Sequence, residues 1–206
     1  MTAAATTAGI VIHTPRRFDA IVALLFLGRQ RAFRERIAAI AKLAPGERLL
    51  DVGCGTGSFA IVAARLGCSV TGIDASPEMV ARAAAKARRA GVPIDLRLGP
   101  AEALPFAEAA FDVVTATFLL RHLPPEARAA PTAEMRRVVK PGGRILLVDT
   151  RPAPGQQGPG GRPPLDVFDW VRPMEAAGFA IETGAVGLRR LAYVLATAPR
   201  DSEAAR

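Results

Sequence analysis

The sequence predicts an α/β fold, a mostly parallel seven-stranded sheet with helices on both faces and an antiparallel last strand. Three observations carry this. Short apolar runs alternate with helical periodicity through residues 45–150. The run Leu49-Leu50-Asp51-Val52 passes through Gly53, Gly55 and Gly57 into Ser58–Leu66, which reads as a helix. The last two apolar runs, Phe179–Val186 and Leu191–Thr197, are joined around Gly187 by too few residues for a crossover, so they pair antiparallel.

Length and composition bound the rest. At 206 residues the chain suits a single domain, 1–206, able to bury a core. Half the residues are hydrophobic and 22% are charged, as in a globular protein. The net charge of +8 permits acidic partners, but no zinc-finger spacing or aromatic-interleaved basic stripe supports nucleic acid. Two cysteines, Cys54 and Cys68, give neither a disulfide framework nor a metal site, and the expected compartment is the reducing cytoplasm. The apolar run 20–27 is far too short to span a bilayer.

Each element then has a local reason. The N-terminus is expected to fray through about Gly9. Pro15 can occupy a first helical turn, and Phe18, Ile21, Val22, Leu24 and Leu25 recur at helical spacing up to Gly28. In a second helix Phe33, Ile37, Ile40 and Leu43 share one face, and Arg29, Arg31, Arg34 and Arg36 fall on the other. Residues 1–44 read either as a lid over the sheet and the substrate mouth or as a basic amphipathic element for a membrane surface. Pro45-Gly46 stops the second helix. Strand two, Ser69–Asp74, ends in a carboxylate 21 residues after Gly53, where an acid can accept both hydroxyls of a ribose. Ser76-Pro77 supplies the cap and first position of helix 77–90, which leaves Asp74 spare for binding.

Ile94–Leu98 and Phe111–Thr117 read as strands three and four, and Phe118 to Leu123 is expected to cross a ligand crevice. Pro131 is expected to break or restart the helix that opens at Pro124-Pro125. Pro141-Gly142-Gly143 turns into strand five, Arg144–Thr150. Residues 151–164, with five prolines and four glycines, read as a loop. A short helix from Asp166 to Ala177 precedes the last strand pair in the C-terminal part, 165–198, and the tail after Pro199 reads as loose.

Glycines let a backbone turn sharply and approach a ligand, and the helix start behind them presents free N–H groups. The sixth position of a dinucleotide fingerprint is Ser58 here, and the Gly-Lys-Ser/Thr of a phosphate loop is absent. The set is more specific. Leu49–Gly57, Gly72-Ile73-Asp74-Ala75-Ser76, Ala101-Glu102-Ala103-Leu104-Pro105-Phe106, Phe111-Asp112-Val113-Val114 and Arg137–Gly143 resemble the class I S-adenosylmethionine-dependent methyltransferases, a Rossmann-like three-layer sandwich. The match in order and spacing covers residues 45–150, the cofactor-binding core. Arg17-Phe18-Asp19, Leu27-Gly28-Arg29-Gln30-Arg31 and Phe118-Leu119-Leu120-Arg121-His122 are similar to the quinone-biosynthesis group. Phospholipid N-methyltransferases and natural-product methyltransferases share much of the pattern.

The resemblance implies an enzyme that uses S-adenosylmethionine, releases S-adenosylhomocysteine and acts on a small, partly apolar acceptor. It implies that Gly53, Cys54, Gly55, Thr56 and Gly57 surround the methionine part and that Asp51 holds its amino group or orders the loop. Asp74 would take the ribose, Ala75 would lie against adenine, and Thr117 and Phe118 would sit near the methionine part. Many relatives carry an Asp where this chain has Pro100, which leaves adenine to the Ala101 backbone and Glu102. Phe18 replaces a Tyr and can only pack, and His122 replaces an Asn.

His122 is the candidate base, with an ordinary pKa of about 6.5, unless it is a structural histidine. Arg121 would steady an anionic acceptor or a water, unless it is a solvated arginine. His13 is a candidate at the entrance, and Cys54 reads as a small turn residue rather than a nucleophile. A scaffold that binds the cofactor without methylating, or that catalyses cyclisation, is the alternative. Peripheral membrane contact and a homodimer stay open.

Overall fold

A computed structural model describes residues 7–153, 155–157, 164–187 and 190–200. Most of the 151–164 loop and the tail after Arg200 lie outside these residues, as does the side chain of Leu25. The strands are β1 (Arg48–Val52), β2 (Ser69–Asp74), β3 (Asp95–Leu98), β4 (Phe111–Thr117), β5 (Val139–Thr150), β6 (Ala180–Ala185) and β7 (Leu191–Thr197). They form one sheet in the order β3-β2-β1-β4-β5-β7-β6, parallel except for β7, which runs antiparallel to β5 and β6. The predicted architecture and its seven strands are therefore present.

Side chains alternate across the sheet and meet a different helical layer on each face. Leu50, Val52, Val114, Ala116, Ile145 and Leu147 pack with Met135 and Val138 of α5 (Ala129–Val138) and with Met174 of α6 (Val171–Glu175). Trp170, in the 3₁₀ turn Val167–Trp170, joins that layer and donates its indole N–H to Thr132 Oγ1 at 2.7 Å. On the other face Leu49, Val113, Leu146 and Val148 meet Ile37 and Ala38 of α2 (Gln30–Ile40) and Phe59, Ala60 and Ala63 of α3 (Ser58–Arg65). The helix α4 (Pro77–Ala90) is capped as its sequence predicts: Ser76 Oγ accepts the Met79 N–H at 3.1 Å, and Gly91 ends the helix at φ +67°.

Three expectations need correction. Strand β5 begins at Val139 rather than Arg144, with a register irregularity where it meets Phe111 and Val113 of β4. Gly143 explains the tolerance: an added Cβ there would lie 2.8 Å from the Lys140 carbonyl and 2.9 Å from that of Asp112. The expected restart near Pro131 is present: the 3₁₀ turn Pro125–Ala127 ends before α5 starts at Ala129, which places the proline in the first turn, where its missing N–H has no helical partner to lose. The N-terminus is not frayed from Thr7 onward: Ile10 N–H donates to the His122 carbonyl at 2.8 Å. Finally, Arg34 leaves the basic face of α2. It is half-buried beside Asp19 of α1 (Pro15–Leu25), and burial pulls its pKa below the ordinary arginine value.

Candidate functional site

The sheet order reverses at β1, whose neighbours β2 and β4 lead the chain in opposite directions. The crevice at the carboxyl ends of such strands is where α/β folds hold ligands. The glycine turn after β1 occupies it, with Gly53, Gly55 and Gly57 at φ +67°, +53° and +72°, a backbone region that side-chain-bearing residues avoid. The N–H groups of Gly53 and Cys54 donate to the Ile73 carbonyl at 2.8 and 3.0 Å, so the turn leans on the end of β2.

Asp74 closes β2 beside this turn. Its Oδ2 accepts the Gly55 N–H at 2.8 Å and its Oδ1 accepts the Ser76 N–H at 2.9 Å. Burial raises its pKa, opposed by these hydrogen bonds. Two backbone donors use only part of a carboxylate's acceptor capacity of about four sites. The fixed carboxylate thus keeps lone pairs for a ligand.

A cavity of about 760 Å³ opens over this edge. It is lined by Gly53, Gly55, Ile73, Asp74, Ala75, Ala101, Glu102, Thr117, Phe118, Arg121 and His122 from the core, and by Phe18, Ile21, Val22 and Phe26 from the N-terminal helix region. Two buried polar atoms among these lack any partner, Glu102 Oε2 and Thr117 Oγ1. Burying an unpaired polar group costs free energy, so both mark places where a ligand atom would be stabilising. Glu102 Oε1 is held by Thr7 Oγ1 at 2.8 Å and by the Ala8 N–H at 3.0 Å. Residues 7–12 form a strap over this end, also fastened by Ser76 Oγ to the Ile12 carbonyl at 2.8 Å. Sequence reasoning missed the strap, because its contacts join residues up to 95 positions apart.

A second cavity of about 100 Å³ lies behind the turn, lined by Asp51, Cys54, Thr56, Arg34 and both Phe18 and Phe118. Asp51 is buried, and its Oδ1 accepts from Thr115 Oγ1 at 3.0 Å. Desolvation pushes its pKa up to about 7, partly offset by the Thr115 hydrogen bond. Burial also pushes the Cys54 thiol well above its ordinary value, with the Asp51 and Asp74 charges adding to the rise, so Cys54 is a packed thiol and not a nucleophile.

The other end of the cavity is built by Phe118 and the 3₁₀ turn Leu120–His122. Phe118 adopts φ +59° at the end of β4 and stacks on Phe33 with centroids 6.0 Å apart. The Arg121 guanidinium lies 4.7 Å from the Phe118 ring centre and donates through Nε and Nη2 to Asp149 Oδ1 at 2.8 and 2.7 Å. Asp149 is 2% exposed, so Arg121 is the countercharge of a buried carboxylate rather than a solvated arginine. His122 is half-buried; burial lowers its pKa, the Arg121 charge lowers it further, and Asp149 and Asp74 oppose.

The structure thus gathers Asp74, Ala75, Ala101, Glu102, Thr117, Phe118, Arg121, His122 and Phe18 around one cavity, with Gly53 and Gly55 on its wall. Asp51, Cys54 and Thr56 face the smaller one. Gly57 lines neither; a Cβ there would lie 2.9 Å from Ala83 Cβ, so its lack of a side chain lets α3 approach α4. His13 does not line either cavity: it is exposed and pairs with Glu78 at 3.1 Å. Among the described residues no cluster of potential ligands could hold a metal.

A family model described as "Methyltransferase domain" matches residues 49–143. A ubiquinone/menaquinone biosynthesis C-methyltransferase of Geotalea daltonii is 37% identical over 138 residues, which is 65% of this chain and 58% of that one. A demethylmenaquinone methyltransferase of Beutenbergia cavernae is 36% identical over 142 residues, 69% of this chain and 57% of that one. The chain therefore spans somewhat less than two thirds of the length of these relatives. The fold is shared with the [4+2]-cyclase SpnF, with a TM-score of 0.72 at 24% identity over 95% of this chain and 100% of that one. It is shared too with magnesium protoporphyrin IX methyltransferase from Synechocystis, with a TM-score of 0.68 at 24% identity over 84% of each chain.

Proposed function

We propose that this chain, whose residues 49–143 form a class I S-adenosylmethionine-dependent methyltransferase domain, moves a methyl group from that donor to a small, mainly apolar acceptor. The observation that carries the reading is the pair of unpartnered atoms, Glu102 Oε2 and Thr117 Oγ1, at the cavity that also holds the fixed Asp74 carboxylate. Three acceptors around a cleft of this size fit a cationic donor rich in N–H and O–H groups, in a volume within the range of about 300–1,000 Å³ typical of ligand sites.

In this reading Asp74 accepts the ribose hydroxyls while the Gly55 and Ser76 N–H groups hold it still. Glu102 Oε2 accepts from the adenine amine, which supplies the acceptor that Pro100 cannot. Ala75 and Met79 give that ring an apolar seat. Thr117 Oγ1 and the glycine turn meet the methionine part, with Asp51 behind them. When bound, the donor supplies the reactive carbon, a methyl on a sulfonium displaced in line.

The protein's own work is alignment and exclusion of water, which can remove about 7–11 kcal/mol of barrier. Phe18, Ile21, Val22 and Phe118 provide the dry wall for the acceptor. His122, kept neutral by burial, takes a proton from an acceptor that must lose one. Arg121, held by Asp149, orients that acceptor or an ordered water. Incubation with the donor and a panel of phenols, quinols and amines, read as S-adenosylhomocysteine formed, tests this. Donor binding with an altered acceptor but no S-adenosylhomocysteine would instead support a cyclase or other non-methylating catalyst.

A further inference from the structure

We infer that the outer face of α1 and the turn after it dock on an anionic lipid surface. This goes beyond the proposed methyl transfer and does not depend on it. The helix α1 is apolar on two sides. Phe18 and Val22, one turn apart, face the cavity, and Phe26 beyond them is buried. On the adjoining, outward flank Arg17 and Leu24, spaced i and i+7, form an exposed stripe with Leu24 75% accessible, and Ile21, 57% accessible, sits at the boundary where it also lines the cavity. The stripe continues into Leu27, which is 82% accessible and held at φ +46°, a conformation that leucine rarely adopts. Burial within the chain gives little reason for a leucine held at positive φ and this exposed at the tip of a helix pair.

The charges around the stripe are mainly positive. Arg16, Arg17 and Arg29 are exposed around it, and Arg31 is exposed but paired with Glu35 at 2.7 Å. Between residues 7 and 34 the single acid is Asp19, and it is turned inward to Arg82 and Lys86. Arg16 and Arg17 stand in the first turn of α1, where the helix dipole disfavours cations, and that turn holds no acid. Leucines that can enter the acyl boundary, ringed by arginines that can meet phosphates, match an anionic bilayer. A second copy of this chain fits worse, since a two-fold contact through this patch would set arginines against arginines. The face is amphipathic rather than spanning: among the described residues no helix is long and apolar enough to cross a membrane.

The test is sedimentation of the full chain with vesicles of phosphatidylcholine, with and without phosphatidylglycerol, at low and high salt. The expected result is binding to the anionic vesicles that weakens with salt. Replacing Arg16, Arg17 and Arg29 by Gln should weaken it roughly fivefold per arginine. Leu24→Asp with Leu27→Asp should weaken it at least about tenfold, and Asp is tolerated at the positive φ of position 27. Circular dichroism and the heat of donor binding should match the parent for both variants, which separates lost docking from lost fold. No binding to anionic vesicles at low salt, or binding unchanged in both variants, overturns the inference. So does a lipid-free dimer that the leucine changes dissociate.

Discussion

Lys86 Nζ lies 3.2 Å from Asp19 Oδ1 and 2.9 Å from Thr56 Oγ1, so one ammonium on α4 ties α1 to the glycine turn. Thr56 Oγ1 itself donates to Asp19 Oδ1 at 2.7 Å, and Arg82 Nε donates to Oδ2 at 3.1 Å. The aspartate next to the packing Phe18 thus latches α1 to α4 and the glycine turn.

Breaking the latch is expected to loosen α1. Asp19→Ala leaves Lys86 and Arg82 without their countercharge and should cost about 1–3 kcal/mol of stability. Donor affinity should fall roughly tenfold, and limited proteolysis should cut near α1 more readily. Burial alone would raise the Asp19 pKa, but the hydrogen bond from Thr56 and the Lys86 and Arg82 contacts together hold it below the ordinary value of 3.8. Its stabilisation is accordingly present above the unfolded-state pKa and lost as pH falls through the lower folded-state value. Urea unfolding of parent and Asp19→Ala across that window checks the sign: the difference between them should shrink on acidification.

Asp51 behaves oppositely. Burial lifts its pKa from 3.8 to about 7, so the folded state holds a proton that the unfolded chain has released between those values. Its contribution is full below the unfolded pKa and lost as pH rises through about 7. Asp51→Asn keeps an acceptor oxygen for Thr115 and removes the titration. The variant should show a flatter stability profile from pH 4 to 8 and a gain near pH 8 of at most about 4 kcal/mol. Denaturant midpoints at four or five pH values decide it; a profile identical to the parent would place the proton elsewhere.

How much of this could be read in the sequence follows from distance along the chain. The glycine turn, the Ser76 cap and the position of Asp74 obey local backbone rules, and all three lie where the spacing put them. Asp19 with Lys86, Glu102 with Thr7 and Arg121 with Asp149 join residues 67, 95 and 28 positions apart, and nothing local announces them. Helical periodicity placed Arg34 with the other arginines of α2, because the spacing of charges does not reveal a buried carboxylate on another helix. His13 was near the entrance in sequence but found Glu78 on the surface.

Gly57 offers a packing test. A Cβ would sit 2.9 Å from Ala83 Cβ, on a residue at φ +72°. Gly57→Ala should therefore destabilise by about 2–4 kcal/mol, a fall in Tm of roughly 5–12 °C. Differential scanning calorimetry measures it, and Gly91→Ala is the control: its φ is +67°, but no atom lies within 4 Å of the added Cβ, so it should lose less.

His122 carries a kinetic prediction. Burial keeps its pKa below the ordinary 6.5, so activity toward an acceptor that must lose a proton should rise with pH and level off at a lower pH than an ordinary imidazole would give. His122→Gln should lower kcat by about 10²–10⁴-fold and remove that limb of the profile, with little change in donor affinity. An unchanged pH profile would leave His122 a structural residue.

Asp74 is proposed as the grip on the donor, and isothermal titration with S-adenosylhomocysteine measures that directly. The parent should bind with measurable heat. Asp74→Ala should bind at least about 30-fold more weakly, since it removes a charged acceptor worth about 1.5–3 kcal/mol per hydrogen bond. Asp74→Asn, which retains an oxygen for the Gly55 N–H, should fall between them. No heat with the parent, or a parent and a folded Asp74→Ala that bind equally well, would contradict the assignment.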